Sequence, residues 1–212
     1  MRAAPSSERG QSNLIEISMT LLILAVVLAF LYSSIGSAEK VANGTRMRVA
    51  NLDEARTLMA VLTKDVRTAT RLQAGTAPFV AADARDVTFY ANLDDATGGP
   101  RKVHLYLDST NEIISSVQVP DAASVAPNYT YTGAAQLRYV GRYLANTTAQ
   151  HVFRYFDGAL TELYPPLESG DLLAVASVQI TLVVRTATNL PVGNVTLVDQ
   201  VRLPNVEYQT TS

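Results

Sequence analysis

The chain has 212 residues, 48% of them hydrophobic and 17% charged, with 17 Lys and Arg against 19 Asp and Glu and no cysteine. That length holds one domain with appendages or two small ones, and the apolar content excludes disorder throughout, collagen and a coiled-coil fibre. A formal net charge of −2 withholds the basic field that nucleic-acid binding draws on, and the missing cysteines exclude disulfide scaffolds, thiolate metal sites, iron–sulfur clusters and a cysteine nucleophile.

A short hydrophilic stretch, MRAAPSSERG and then QSN, precedes the run LIEISMTLLILAVVLAFLYSSI at 14–35, whose one charge is Glu16. A helix of that length rises roughly 33 Å at 1.5 Å per residue, enough to cross the hydrocarbon core of a bilayer. A buried core helix this long would carry a polar stripe. Here the polar residues are few and small: Ser18, Thr20, Ser33 and Ser34. The run is longer than the apolar stretch of a secretory signal peptide, and only the weak SSIGSA at 33–38 could serve as a cleavage site. Charge does not orient the span, because Arg2 and Arg9 precede it and Lys40, Arg46 and Arg48 follow it. A carboxylate in a membrane helix costs about 2.5–3.5 kcal/mol at mid-bilayer and less near an end. Two residues into the apolar run, Glu16 is expected in a first helical turn, where the dipole favours an anion. The alternative is a side chain that reaches the headgroups.

Gly10, then Gln11-Ser12-Asn13-Leu14-Ile15-Glu16, then ISMTLLILAVVLAF resembles the prepilin cleavage and methylation segment of the type IV pilin-like family, which includes the pseudopilins of type II secretion. The resemblance implies that a membrane prepilin peptidase cuts after Gly10 and methylates the new amino terminus at Gln11. It also implies that Glu16 is the assembly carboxylate, pairing with the amine of a neighbouring subunit. Glu16 is sixth after Gly10, where the family places its Glu fifth. The implied partners are other pilin-like subunits, the peptidase, a membrane assembly platform and the lipid bilayer. The implied location is the cytoplasmic membrane, single-pass, with the C-terminal domain extracytoplasmic and exposed on a filament after assembly.

Further along, Val49, Leu52, Ala55, Met59, Leu62, Val66 and Ala69 recur every three or four residues between Asp53, Glu54, Arg56, Lys64, Asp65 and Arg67. This spacing predicts an amphipathic helix with a narrow apolar face. One nearly continuous helix is expected over 13–72, loosened at Gly36 and Gly44, each of which costs about 1 kcal/mol relative to Ala. After the linker 74–78 the period becomes two. Strands are expected at 87–93, 103–107 and 113–119 as a meander, followed by a loop over 120–133. Asp157-Gly158 marks a two-residue type I′ hairpin within 151–164. A long final hairpin is expected from 172–186 and 195–203, with Val178, Ile180, Leu182 and Val184 on one face. The fold class is therefore α+β, a long N-terminal helix packed on an antiparallel β-sheet head. Its order matches the pilin-like plan and is most similar to the larger minor pilins and minor pseudopilins. The expected divisions are a leader (1–10), a transmembrane helix (11–36), an amphipathic helix (37–73) and a β-rich domain (74–212).

Signals for chemistry are sparse. His104 and His151 each sit alone in a strand pattern, and no HExxH, GxSxG, GxxxxGK[ST] or GxGxxG occurs. No enzyme and no cofactor is expected. Asp94 and Asp95 form a weak Ca²⁺ candidate without the spaced ligands of an EF-hand. Tyr139, Tyr143, Tyr155 and Tyr164 are either a contact surface or ordinary packing. Asn43, Asn128, Asn146 and Asn194 head N-x-T triplets open to glycosylation if the domain is extracytoplasmic. The reading favoured is a structural, minor filament subunit. The alternative is a permanently anchored single-pass protein whose β-rich domain binds a ligand or mediates adhesion.

Overall fold

The computed structural model describes residues 7–93, 98–142, 144–185 and 194–204, with side chains from Leu14 onwards. The chain divides into two compact units, Met1–Met47 and Arg48–Ser212.

Helix α1 spans Ser7–Arg67, 61 residues. Within the first unit it runs without interruption through Gly36 and Gly44, so neither glycine breaks the helix. About 1 kcal/mol per glycine is too little to break a ladder bonded on both sides. The large apolar side chains from Leu14 to Ile35 are exposed throughout. Two of the small hydroxyls among them turn back on their own helix: Ser18 Oγ donates to the Leu14 carbonyl at 2.7 Å and Thr20 Oγ1 to that of Glu16 at 2.8 Å. Their polar atoms are thereby satisfied without water, as an apolar solvent requires. By length and composition, this is one helix able to cross a membrane.

In the second unit the last part of α1 buries Ala55, Leu58, Met59, Leu62 and Val66, with Lys64 and Arg67 in its final turn facing the negative end of the dipole. The apolar stripe begins later than expected, since Val49 is exposed and Leu52 half-buried. The helix also stops five residues short of Leu72. The Thr70 N–H donates to the Tyr90 carbonyl at 2.8 Å and the Asn92 N–H to the Thr68 carbonyl at 3.1 Å. Ladder bonds to a strand thus replace the last helical ones, and two β-branched threonines suit that geometry.

The first sheet contains β1 (Phe79–Ala82), β2 (Asp86–Ala91), β3 (Arg101–Leu107), β4 (Ile113–Gln118) and β5 (Gln136–Gly141). They are antiparallel, in the order β1-β2-β3-β4-β5. The expected meander forms its centre, with Val103, Leu105 and Leu107 buried between Lys102, His104 and Tyr106. The second sheet contains β6 (Phe153–Phe156), β7 (Glu162–Leu163), β8 (Ser177–Val184) and β9 (Val195–Arg202), in the order β7-β6-β8-β9. As expected, β8 and β9 pair and Val178, Ile180, Leu182 and Val184 are all buried.

Two expectations fail in the second sheet. Residues 172–176 are not strand: a short helix α2 (Ser169–Ala174) leads into β8, burying Leu172. The Asp157-Gly158 turn is longer than two residues, because Phe156 pairs with Glu162. The Asp157 carboxylate accepts the N–H groups of Ala159 and Thr161 at 2.9 and 2.7 Å, and Leu160 takes the positive φ of 64°. An Asx-type bond at Asp157 therefore sets the turn, and the glycine does not take the left-handed position.

The two sheets and α1 share one core. Tyr155 is fully buried, its hydroxyl donating to the Asp83 carbonyl at 2.9 Å, and burial pushes its phenol well above the usual value. Gly141 lies under Leu58, where any Cβ would overlap the leucine side chain. It also sits at a register shift between β4 and β5. Gly141→Val should therefore lower stability by about 1–3 kcal/mol through overpacking. Pairing it with Leu58→Ala should recover part of that loss, as read by thermal unfolding of the double mutant.

Candidate functional site

The candidate assembly site is the helix around Glu16. Gly10 and Gln11 lie within the helical backbone of α1. Because α1 starts at Ser7, Glu16 is about two and a half turns in at 3.6 residues per turn. The expected first-turn position is therefore not that of the uncut chain, and the dipole gives the carboxylate little support there. A cut after Gly10 would leave five residues before Glu16 and a new amine at Gln11. Glu16 is exposed, set among exposed Leu14, Ile15 and Ile17, with no ion pair among the described residues.

The other expected site residues do not converge. Asp94, Asp95 and Tyr143 lie outside the described residues, and no group of three or more potential metal ligands occurs among those described. Tyr155 is core. Tyr139, 61% exposed, belongs to the first sheet with the Arg142 guanidinium 5.9 Å from its ring centre, whereas Tyr164, 76% exposed, follows β7 of the second. Of the two readings of these tyrosines, ordinary packing holds for Tyr155, while Tyr139 and Tyr164 are exposed at different sheets. A pair the sequence did not signal is Tyr90 stacked on Tyr131, ring centres 5.5 Å apart. The Tyr131 hydroxyl donates to the Pro100 carbonyl at 2.6 Å. Burial, with Tyr90 and Tyr129 adding to it, pushes the Tyr131 phenol up to about 12.

His104 has a partner that its isolation in the sequence concealed, for its Nε2 lies 2.8 Å from an Asp86 carboxylate oxygen and its ring stacks on Tyr106. No hydroxyl hydrogen-bonds to that ring among the described residues, so the pair lacks the third member of a nucleophilic triad. His151 is half-buried.

Of the four glycosylation candidates, Asn43, Asn128 and Asn194 are exposed. Asn146 is 5% exposed and all its amide groups are engaged. It is therefore a structural residue in the folded head, since a glycan on its nitrogen has neither room nor a free donor.

Asp121 organises the loop over 120–133. Its carboxylate accepts the Thr130 hydroxyl at 2.6 Å and both the N–H and the hydroxyl of Thr132 at 3.0 Å. These bonds, the Thr130 hydroxyl foremost, hold its pKa below the usual 3.8. A depressed folded-state pKa means the contribution is complete at neutral pH and is lost as pH falls through that lower value. Hydrogen exchange at the Thr132 amide, corrected for its intrinsic pH dependence, should accelerate only once pH falls below about 3.8. In Asp121→Asn it should already be faster at pH 7.

No protein-family model, curated protein or solved structure matches the chain.

Proposed function

We propose that this protein is a minor structural subunit of a type IV pilus-like or type II secretion-like filament. It is made as a precursor in the cytoplasmic membrane, cut by a prepilin peptidase after Gly10 and assembled through its N-terminal helix, with Glu16 as the assembly carboxylate. The observation that carries this reading is the double use of α1. Over 14–35 every large apolar side chain is exposed around a lone carboxylate, while Leu58, Leu62 and Val66 of the same helix enter the core of a β-rich head. An exposed apolar surface of that length needs lipid or other helices to cover it. A filament of like subunits supplies the second after the first.

The test is the intact mass and N-terminal sequence of the membrane-extracted chain from cells with an active prepilin peptidase. A chain beginning at Gln11, with a methyl group on its amine, is the expected result. A start at Ser12 would retain the reading and restore the family's spacing to Glu16. An intact leader would falsify it and leave a permanently anchored single-pass protein.

A further inference from the structure

The helix-facing side of the first sheet is apolar along most of its length and polar at one end. Strand parity puts Arg101 on the face of Val103 and Leu105, and Ser115 on that of Ile113 and Val117. Arg138 pairs with Ser115 across β4 and β5. These three side chains, with Lys64 and Asp65 of α1, line an open cavity of about 510 Å³. Leu93 and Val117 add an apolar wall.

Two polar atoms on this lining are buried without a hydrogen-bond partner, Ser115 Oγ and Arg101 Nε. Ser115 is only 1% exposed. Native interiors rarely leave such atoms unpaired, and each carries a desolvation penalty. Guanidinium Nε can only donate and a hydroxyl can donate, so the missing group is an acceptor. Among the described lining residues the charge has the matching sign: Lys64, Arg101 and Arg138 face a single acid, Asp65, whose carboxylate lies 3.9 Å from Arg138. The volume suits a small molecule rather than a lone ion.

We propose that this cleft binds a small oxyanion, a carboxylate or phosphate group with an apolar portion, the head held by Arg101, Ser115 and Arg138 and the body along Leu93 and Val117. The site stands apart from the filament reading, because leader cleavage does not involve residues 64–138.

The test is calorimetric titration of the full chain, in phosphatidylcholine nanodiscs, with inorganic phosphate, citrate and phenyl phosphate. Saturable binding is expected, tightest for phenyl phosphate, and Arg101→Gln should weaken it about tenfold or more by removing a charge-assisted bond. Ser115→Ala separates a ligand site from a packing accident. Without ligand its unfolding midpoint should rise, because an unpaired buried hydroxyl is gone, while its affinity for phenyl phosphate falls. Nanodiscs containing phosphatidylglycerol distinguish the source: competition with phenyl phosphate there would assign the site to a lipid headgroup, and its absence to a free small molecule. No saturable binding, or equal affinity in wild type, Arg101→Gln and Ser115→Ala, would overturn the proposal and leave water as the occupant.

Discussion

Glu16→Ala is expected to leave the chain inserted in the membrane and cleaved, yet to reduce its recovery with neighbouring subunits about tenfold or more. Alanine makes the apolar run easier to insert, so loss of assembly cannot be a failure of anchoring. The size of the expected effect follows from where the proposal has the carboxylate act. Among packed helices in lipid, water does not screen a carboxylate paired with an amine, and removing one partner leaves the other charge uncompensated. The uncut chain cannot make that contact well. With α1 starting at Ser7, the N–H groups near Gln11 are inside the helical ladder and the dipole's positive end is displaced from Glu16. Cleavage after Gly10 would move that end to within a turn and a half of Glu16 and add a free amine, so on the proposed reading processing and assembly would be coupled through one helix terminus. Glu16→Asp, which keeps the charge, should assemble better than Glu16→Gln, which keeps only polarity. Equal co-purification of wild type and Glu16→Ala would end the assembly role.

What the sequence made legible was periodicity, and what it concealed was pairing. Val103, Leu105 and Leu107 announced β3 by alternation, and Ala55, Met59, Leu62 and Val66 announced the core face of α1. Strand β5 escaped because Gln136 and Arg138, which pair with Val117 and Ser115, are polar while Leu137 and Tyr139 between them are apolar, and all four are exposed. The two polar positions line the cleft. Arg101, Ser115 and Arg138 lie on three different strands, and only the register of β3, β4 and β5 brings them together. Counting parity from Val103 would have turned Arg101 inward, but nothing in one sequence says which strands are neighbours. Helix α2 escaped for another reason: LLAVAS reads as strand by composition, and six residues are too few to show a helical period. At the membrane end Glu16 was legible as an isolated charge, whereas its distance from the helix start depended on an N-terminal boundary that hydropathy does not mark.

Asn146→Ala should lower the stability of the head by about 3 kcal/mol, the sum of three hydrogen bonds near 1 kcal/mol each, with a further penalty for an orphaned donor. Strand β6 pairs with β8 as far as Ile180, and beyond it β8 meets that side only through isolated contacts, the Thr181 N–H to the Val152 carbonyl at 2.9 Å and a bridge between Leu144 and Val184. The Asn146 side chain adds to them. Its Nδ2 donates to the carbonyls of Thr181 and Gln150 at 2.9 and 3.2 Å, and its Oδ1 accepts the Val183 N–H at 2.9 Å. The neighbouring Ala145 N–H donates to the Val183 carbonyl at 2.7 Å, so the amide acts as one more peptide group in the ladder. Val183 is itself buried, and water cannot replace the lost acceptor. Asn146→Asp should be at least as damaging, because a carboxylate would face two carbonyls with no hydrogen to offer them. Denaturant unfolding of the full chain in detergent, followed by far-ultraviolet circular dichroism, would show a lower midpoint at unchanged slope. The same geometry predicts that a glycosylating host modifies exposed Asn128 in the folded protein and Asn146 only in chains that fail to fold. A midpoint for Asn146→Ala within error of wild type would mean that β9 and the backbone bonds from Val152 and Ala145 hold the residues after Ile180 in β8 without the side chain.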